Sequence, residues 1–321
     1  MQAQSRAVAA GMRIGIYLDF AVGVVPGGSG VWRVKTAFAE GVSLGAPGDM
    51  ANPDGQLWYL APFNPYELAR NNLEPYRFAL REAMSLGGAI RIDHILGHLR
   101  SFWIPENEAG GYVRYPFDGL LNMIAEESQT QNCVVFGEDL GTVPDGFRDR
   151  MRRRDLMGCN VALIERDTQG RIIQKEDMRE LSITAFSNHD FPTLTGYWNG
   201  EDFKWREQLG IGDDPDTLAW EKSQREADKR AFLNLIGWHE ADEMNVDLMA
   251  DLQAYLAGSN ALAFAVQLDD LMLEPLQANV PGTTDEQPNW RRRARLSLED
   301  IAADETVDAI CRAINDVRKG H

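Results

Sequence analysis

The chain has 321 residues, 44% hydrophobic and 25% charged, with a formal net charge of −17 and a pI near 4.7. That length carries one α/β barrel or two smaller domains, and the charge weighs against a nucleic-acid partner, whose phosphates would be repelled. No apolar run reaches bilayer length. Residues 1–6 have no apolar segment of the secretory kind, and Cys133, Cys159 and Cys311 lack C-x-x-C spacing, so the sequence reads as a cytoplasmic protein with reduced thiols and no membrane partner.

Residues 13–20 read as a first strand carrying a carboxylate, Asp19, near its end. Residues 25–66 lack a sustained period. Gly45-Ala46-Pro47 and Asn52-Pro53-Asp54-Gly55 punctuate them, while Gln56, Trp58 and Tyr59 give them an ordered, substrate-loop character. Residues 67–86 have helical spacing and stop at Gly87-Gly88.

The stretch Ala89-Ile90-Arg91-Ile92-Asp93-His94 follows as a buried strand that ends in charge. Such charge must be paired or must work. Residues 98–118 read as a second irregular aromatic stretch and 119–131 as a helix. Strands follow at 133–137, ending on Glu138-Asp139, at 160–165, and at 183–187, ending on Asn188-His189-Asp190. Residues 201–257 read as a helical insertion, with Trp220, Ala227, Ala231, Phe232 and Leu235 on one face. A last strand at 261–268 ends on Asp269-Asp270, and a helix closes the chain at about 298–318.

Six strands alternating with helices predict a parallel sheet. An incomplete (β/α)8 barrel and an open doubly wound sheet fit this pattern equally. No G-x-G-x-x-G follows the first strand and no phosphate-loop motif occurs, which removes the usual support for a dinucleotide or nucleotide.

Asp93, Glu138 and Asp190 each follow an apolar strand. Parallel strand ends share one rim in a barrel, so the three could meet there. Neighbouring carboxyl groups push one another's pKa apart, leaving one proton donor and one anion, as glycosidic bond chemistry requires. The plainer reading of any one of them is a helix N-cap. A divalent-metal site built from His94, His189 and the carboxylates is the competing chemistry, although no H-E-x-x-H spacing supports it.

At these residues the chain resembles the amylomaltases, the 4-alpha-glucanotransferases of the alpha-amylase superfamily. The resemblance is carried by Leu18-Asp19-Phe20-Ala21, Gly55-Gln56-Leu57-Trp58, Arg91-Ile92-Asp93-His94 and Tyr112-Val113-Arg114-Tyr115-Pro116. It continues in Gly137-Glu138-Asp139-Leu140-Gly141-Thr142-Val143-Pro144, Asn188-His189-Asp190 and Pro288-Asn289-Trp290.

The resemblance implies a TIM (β/α)8 barrel of alpha-amylase type. It implies retaining transfer of 1,4-alpha-glucan segments to an acceptor glucan or glucose, with maltooligosaccharides as partners and no metal or organic cofactor. Asp93 falls on the nucleophile, Glu138 on the general acid/base and Asp190 on the transition-state-stabilising aspartate. Asp19, Arg91, His94, Asn188 and His189 fall on positions that hold the nucleophile and contact the sugar. Gln56 and Trp58 fall on the loop covering the cleft.

The chain begins where the third barrel strand of the family is expected. The implied domain is therefore a partial barrel over 1–321, with irregular substrate-binding insertions at about 25–66 and 98–118 and the helical insertion at about 201–257. A non-catalytic glucan-binding fragment and an alpha-glucan hydrolase are the alternatives.

Overall fold

The computed structural model describes residues 2–48, 55–209, 215–281, 283 and 287–319. Asn52, Pro53 and Asp54 of the second turn signal, and 210–214 of the helical insertion, lie outside the described residues. The chain divides into two compact units, Met1–Cys159 and Asn160–His321.

The first unit is built on a parallel sheet of three strands, β1 (Tyr17–Phe20), β4 (Ala89–Ile92) and β7 (Val134–Gly137), with β4 central. All four residues of β4 are buried, as expected of a parallel strand covered on both faces. Ile90, Ile92 and Val135 turn one face into a core shared with Leu80, Met84, Leu120, Leu121 and Ile124. These last five come from the helices Glu74–Met84 and Phe117–Gln131. Glu127 ties the two helices together. Arg81 donates to both of its oxygens, at 2.9 and 2.8 Å, and Arg77 to one at 2.9 Å. The Arg81 hydrogen bond is the main reason its carboxyl is held down at about 2.

Gly87-Gly88 does lie beyond a helix, which ends at Met84. Gly88 has a second task. A Cβ there would stand 1.8 Å from the Ile14 carbonyl oxygen, where backbone comes close enough for the Gly88 N–H to reach the Ile16 carbonyl at 2.9 Å. Gly88→Ala is expected to cost about 2 kcal/mol or more, because backbone rather than a flexible side chain must move. Chemical denaturation checks this, and an unchanged midpoint would refute it.

Two stretches read as irregular turn out to be sheet. β2 (Val42–Ala46), β3 (Gln56–Leu57), β5 (Arg100–Pro105) and β6 (Gly111–Arg114) form an antiparallel sheet in the order β3-β2-β5-β6. Gly45, read as loop punctuation, lies inside β2, and a Cβ on it would stand 2.2 Å from the Gln56 carbonyl oxygen. Here the glycine allows close strand approach rather than a turn.

The second unit carries a parallel sheet of β8 (Gly158–Val161), β9 (Ser182–Ala185) and β10 (Ala263–Phe264), with β9 central. Each of the six strands read from the sequence has a shorter counterpart, but the one expected at 160–165 lies at Gly158–Val161. The insertion resolves into helices Glu201–Leu209, Pro215–Ile236 and Val246–Ala257. Of its predicted apolar face Phe232 is buried and Ala231 and Leu235 half-buried, whereas Trp220 is 55% exposed and Ala227 is exposed too; Lys229 and Leu233 are the other buried residues. Arg225 lies over the Tyr197 ring at 3.7 Å and Lys229 over Trp198 at 5.4 Å. Arg225 and Lys229, outside the predicted apolar face, thus cover aromatic rings with their cationic side chains. No described helix is long and apolar enough to cross a membrane.

Candidate active site

In the first unit the ends of β1, β4 and β7 are adjacent. Asp19 and Arg91 are register partners, so both project from the same face of the sheet. One Arg91 Nη donates to both Asp19 oxygens at 2.8 and 3.0 Å and lies 2.7 Å from an Asp93 oxygen. Burial disfavours the Arg91 cation. The Asp93 and Asp19 carboxylates overcome that, and its pKa stays above the ordinary value. Asp93 leaves the strand with its N–H donating to the Phe20 carbonyl, which extends the ladder to the rim.

Glu138 enters the same rim from β7. Its N–H donates to the Ile92 carbonyl at 2.9 Å. Its side chain is 8% exposed and held at both oxygens: the Leu140 N–H donates to one at 2.8 Å and the His94 N–H to the other at 3.0 Å. Burial nevertheless dominates, and the Glu138 pKa is pushed up to about 7. Asp93 and Glu138 therefore end neighbouring strands in unlike surroundings, one beside a guanidinium and one desolvated.

His94 has a left-handed backbone, with φ 43° and ψ 55°. This turns the chain so that its N–H meets Glu138. Burial lowers its imidazole pKa, against the pull of Asp93. Trp58 meets the His94 ring edge-on at a centroid distance of 5.4 Å, and its indole N–H donates to the Gln56 side-chain oxygen at 3.0 Å. Asp19, Gln56, Trp58, Arg91, Asp93, His94 and Glu138 thus form a connected set within this unit.

In the second unit Asn188, His189 and Asp190 follow β9 in a tight turn. The Asn188 side chain accepts from the Asp190 N–H at 2.8 Å, and His189 Nε2 lies 3.2 Å from an Asp190 oxygen. Asn279 donates its side-chain N–H to Asp190 at 2.9 Å, and Trp290 tilts over His189 at 5.3 Å. Sequence reasoning missed Asn279, which sits in no recognisable pattern. It also missed the buried His98–Tyr76 pair, 2.6 Å apart, behind the Ile95–His98 turn. Among the described residues no three of His, Cys, Asp and Glu are grouped to hold a metal ion.

Two carboxyl groups in contrasting environments at adjacent parallel strand ends define a site of the acid–base type. A family model described as 4-alpha-glucanotransferase matches residues 1–298. The 4-alpha-glucanotransferase of Mycobacterium bovis is 35% identical over 337 residues, covering 97% of this chain and 45% of that protein. That of Haemophilus influenzae is 34% identical, covering 96% and 46%. The amylomaltase crystal structure from Corynebacterium glutamicum superposes with a TM-score of 0.89 at 32% identity, covering 98% of this chain and 48% of the other. Amylomaltase from Streptococcus agalactiae, in complex with acarbose, shares the fold at a TM-score of 0.77 and 17% identity. The chain belongs to the 4-alpha-glucanotransferase family. It spans about half the length of the curated relatives it matches.

Proposed function

We propose that this chain carries the catalytic carboxylates of a retaining 4-alpha-glucanotransferase acting on maltooligosaccharides and other 1,4-alpha-glucans. The observation that carries the reading is Glu138, a buried carboxyl with a pKa near 7 fixed by two backbone N–H groups at a strand end beside the ion-paired Asp93. The parallel sheets fit a barrel of the alpha-amylase type, whose strand ends carry the chemistry.

In this scheme the Asp93 carboxylate attacks the anomeric carbon of the donor. The bond to the departing 4-oxygen breaks as Glu138 delivers its proton there, leaving a glycosyl ester on Asp93. Glu138, now a carboxylate, takes the proton from the 4-hydroxyl of an acceptor glucan, whose oxygen displaces Asp93. Arg91 holds Asp93 in its attacking position and supplies fixed positive charge. The indole of Trp58, tethered by Gln56 and set against His94, offers an apolar face to a sugar ring. Asp190, held by Asn279 and His189, takes the role of gripping ring hydroxyls, with Asn188 shaping its turn.

Incubation with maltotriose tests the reading. Transfer gives glucose together with longer glucans and no net increase in reducing ends, and Asp93→Asn abolishes it. A net rise in reducing ends would mean hydrolysis instead, and binding without products would reduce the chain to a glucan-binding role.

A further inference from the structure

A cavity of about 670 Å³ lies in the first unit, lined among others by Arg100, Arg114, Tyr115, Phe117, Asp118 and Arg150. None of these has a part in the scheme above. Arg100 on β5 and Arg114 on β6 are direct register partners of an antiparallel pair. Their side chains therefore leave the sheet on the same face, a few ångströms apart at their bases.

Like charges placed so are destabilising unless an anion comes between them. Among the described residues neither guanidinium meets a carboxylate. Arg100 instead lies over the Tyr112 ring at 4.3 Å. This occurs in a chain with a net charge of −17, where carboxylates are plentiful.

The remaining charges leave the balance positive. Asp118 is the acid of the lining, and it is already engaged by Arg150 at both oxygens and by Arg154 at one of them. Arg150 also lies over the Phe117 ring at 4.3 Å. The first turn of the helix Phe117–Gln131 forms part of the wall. No side chain caps it, so the positive end of its dipole adds to the field. The volume greatly exceeds what a single oxyanion fills, and Tyr115, Pro116, Phe117 and Pro144 give it an apolar side.

We propose that this cavity is a binding site for a phosphorylated sugar, with the phosphate held between Arg100 and Arg114 and the sugar against the apolar side formed by Tyr115, Pro116 and Pro144. Two guanidinium groups carried on one face of paired strands suit a phosphate group, which can accept from both at once. The walls are continuous with segments that fix Glu138. Leu99 closes the turn that starts at His94, and Pro144 follows Leu140, the residue whose N–H holds the Glu138 carboxyl. The binding claim itself does not depend on the proposed activity.

Calorimetric titration of the chain with glucose 1-phosphate, inorganic phosphate and glucose, at matched ionic strength, tests it. Glucose 1-phosphate is expected to bind saturably, and any binding of glucose to be weaker and unmoved by substitution of Arg100 or Arg114. Arg100→Gln and Arg114→Gln should each weaken binding at least tenfold. Thermal unfolding should show each variant as stable as the parent or more so, since each relieves the repulsion. Failure of glucose 1-phosphate to bind, or affinity unmoved by both substitutions, would overturn the proposal. Equal affinity for inorganic phosphate would overturn its sugar half and leave a site for the ion.

Discussion

Replacing Glu138 by glutamine is expected to lower glucan transfer by roughly 10²–10⁴-fold, the usual contribution of a positioned general acid/base. It should also remove the alkaline limb of the pH profile. Burial raises the Glu138 pKa to about 7. The carboxyl is then protonated below that value and can donate to the leaving oxygen. Above it the donor is lost, so transfer should fall as pH rises through about 7. Carbon-13 NMR of the labelled carboxyls gives a readout that needs no turnover, with one glutamate titrating near 7. A Glu138 midpoint near 4.5 would defeat the assignment.

Asp93 adds to the upward shift, so Asp93→Asn should move the Glu138 midpoint down. The stability sign follows from the same shift. A folded pKa above the unfolded one means that the fold binds the proton more tightly. That contribution is fully present below about 4.5 and is lost as pH rises through about 7. Glutamine keeps an acceptor for the Leu140 N–H but turns an amide N–H toward that of His94. The variant should therefore be destabilised by about 1 kcal/mol at acid pH, while remaining folded.

How strongly burial constrains a segment decides how much of it is legible in the sequence. β4 was legible because both its faces are covered, which forces an apolar run and makes Arg91 and Asp93 conspicuous within it. The antiparallel sheet was not. No residue of β6 is buried and Ser101 alone is in β5, so no period-2 alternation is imposed and the aromatics of 98–118 looked like loop.

Strand-end carboxylates are also not all alike. Asp139, next to Glu138, is fully buried, accepting from Arg148 at 2.7 Å and from the Cys159 N–H at 2.9 Å. It anchors the backbone where Glu138 faces the rim. Nothing in a pair of adjacent acids distinguishes them, because the difference is which side of the chain each leaves. The Trp58–His94 contact likewise depends on β3 pairing with β2, a register no local pattern specifies.

The Asp269-Asp270 pair divides in the same way, and its buried member should make the fold unusually sensitive to alkali. Asp269 pairs with Arg292, whereas Asp270 is 1% exposed. One Asp270 oxygen accepts the Leu194 N–H at 2.7 Å. The other lies 3.4 Å from the Gln253 amide nitrogen, a weak contact, while the Gln253 side-chain oxygen has no partner. Burial, reinforced by Asp269, raises the Asp270 pKa to about 7.

The folded value exceeds the unfolded one, so Asp270 contributes stability that is full below about 3.8 and disappears as pH rises through about 7. Above that the fold must hold a buried carboxylate. Asparagine has the same shape, stays neutral, can still accept from Leu194, and can donate to the unpaired Gln253 oxygen once the two amides align. Asp270→Asn is therefore expected to stabilise the protein by roughly 1–3 kcal/mol at pH 8, to change little at pH 5, and to flatten the slope between them. Urea denaturation at the two pH values measures this. Equal destabilisation at both would show that Asp270 is held as an anion by partners stronger than these. The site is coupled to the outcome, because Leu194 opens the helix that follows Asn188-His189-Asp190, and Asp270 fixes where that helix begins.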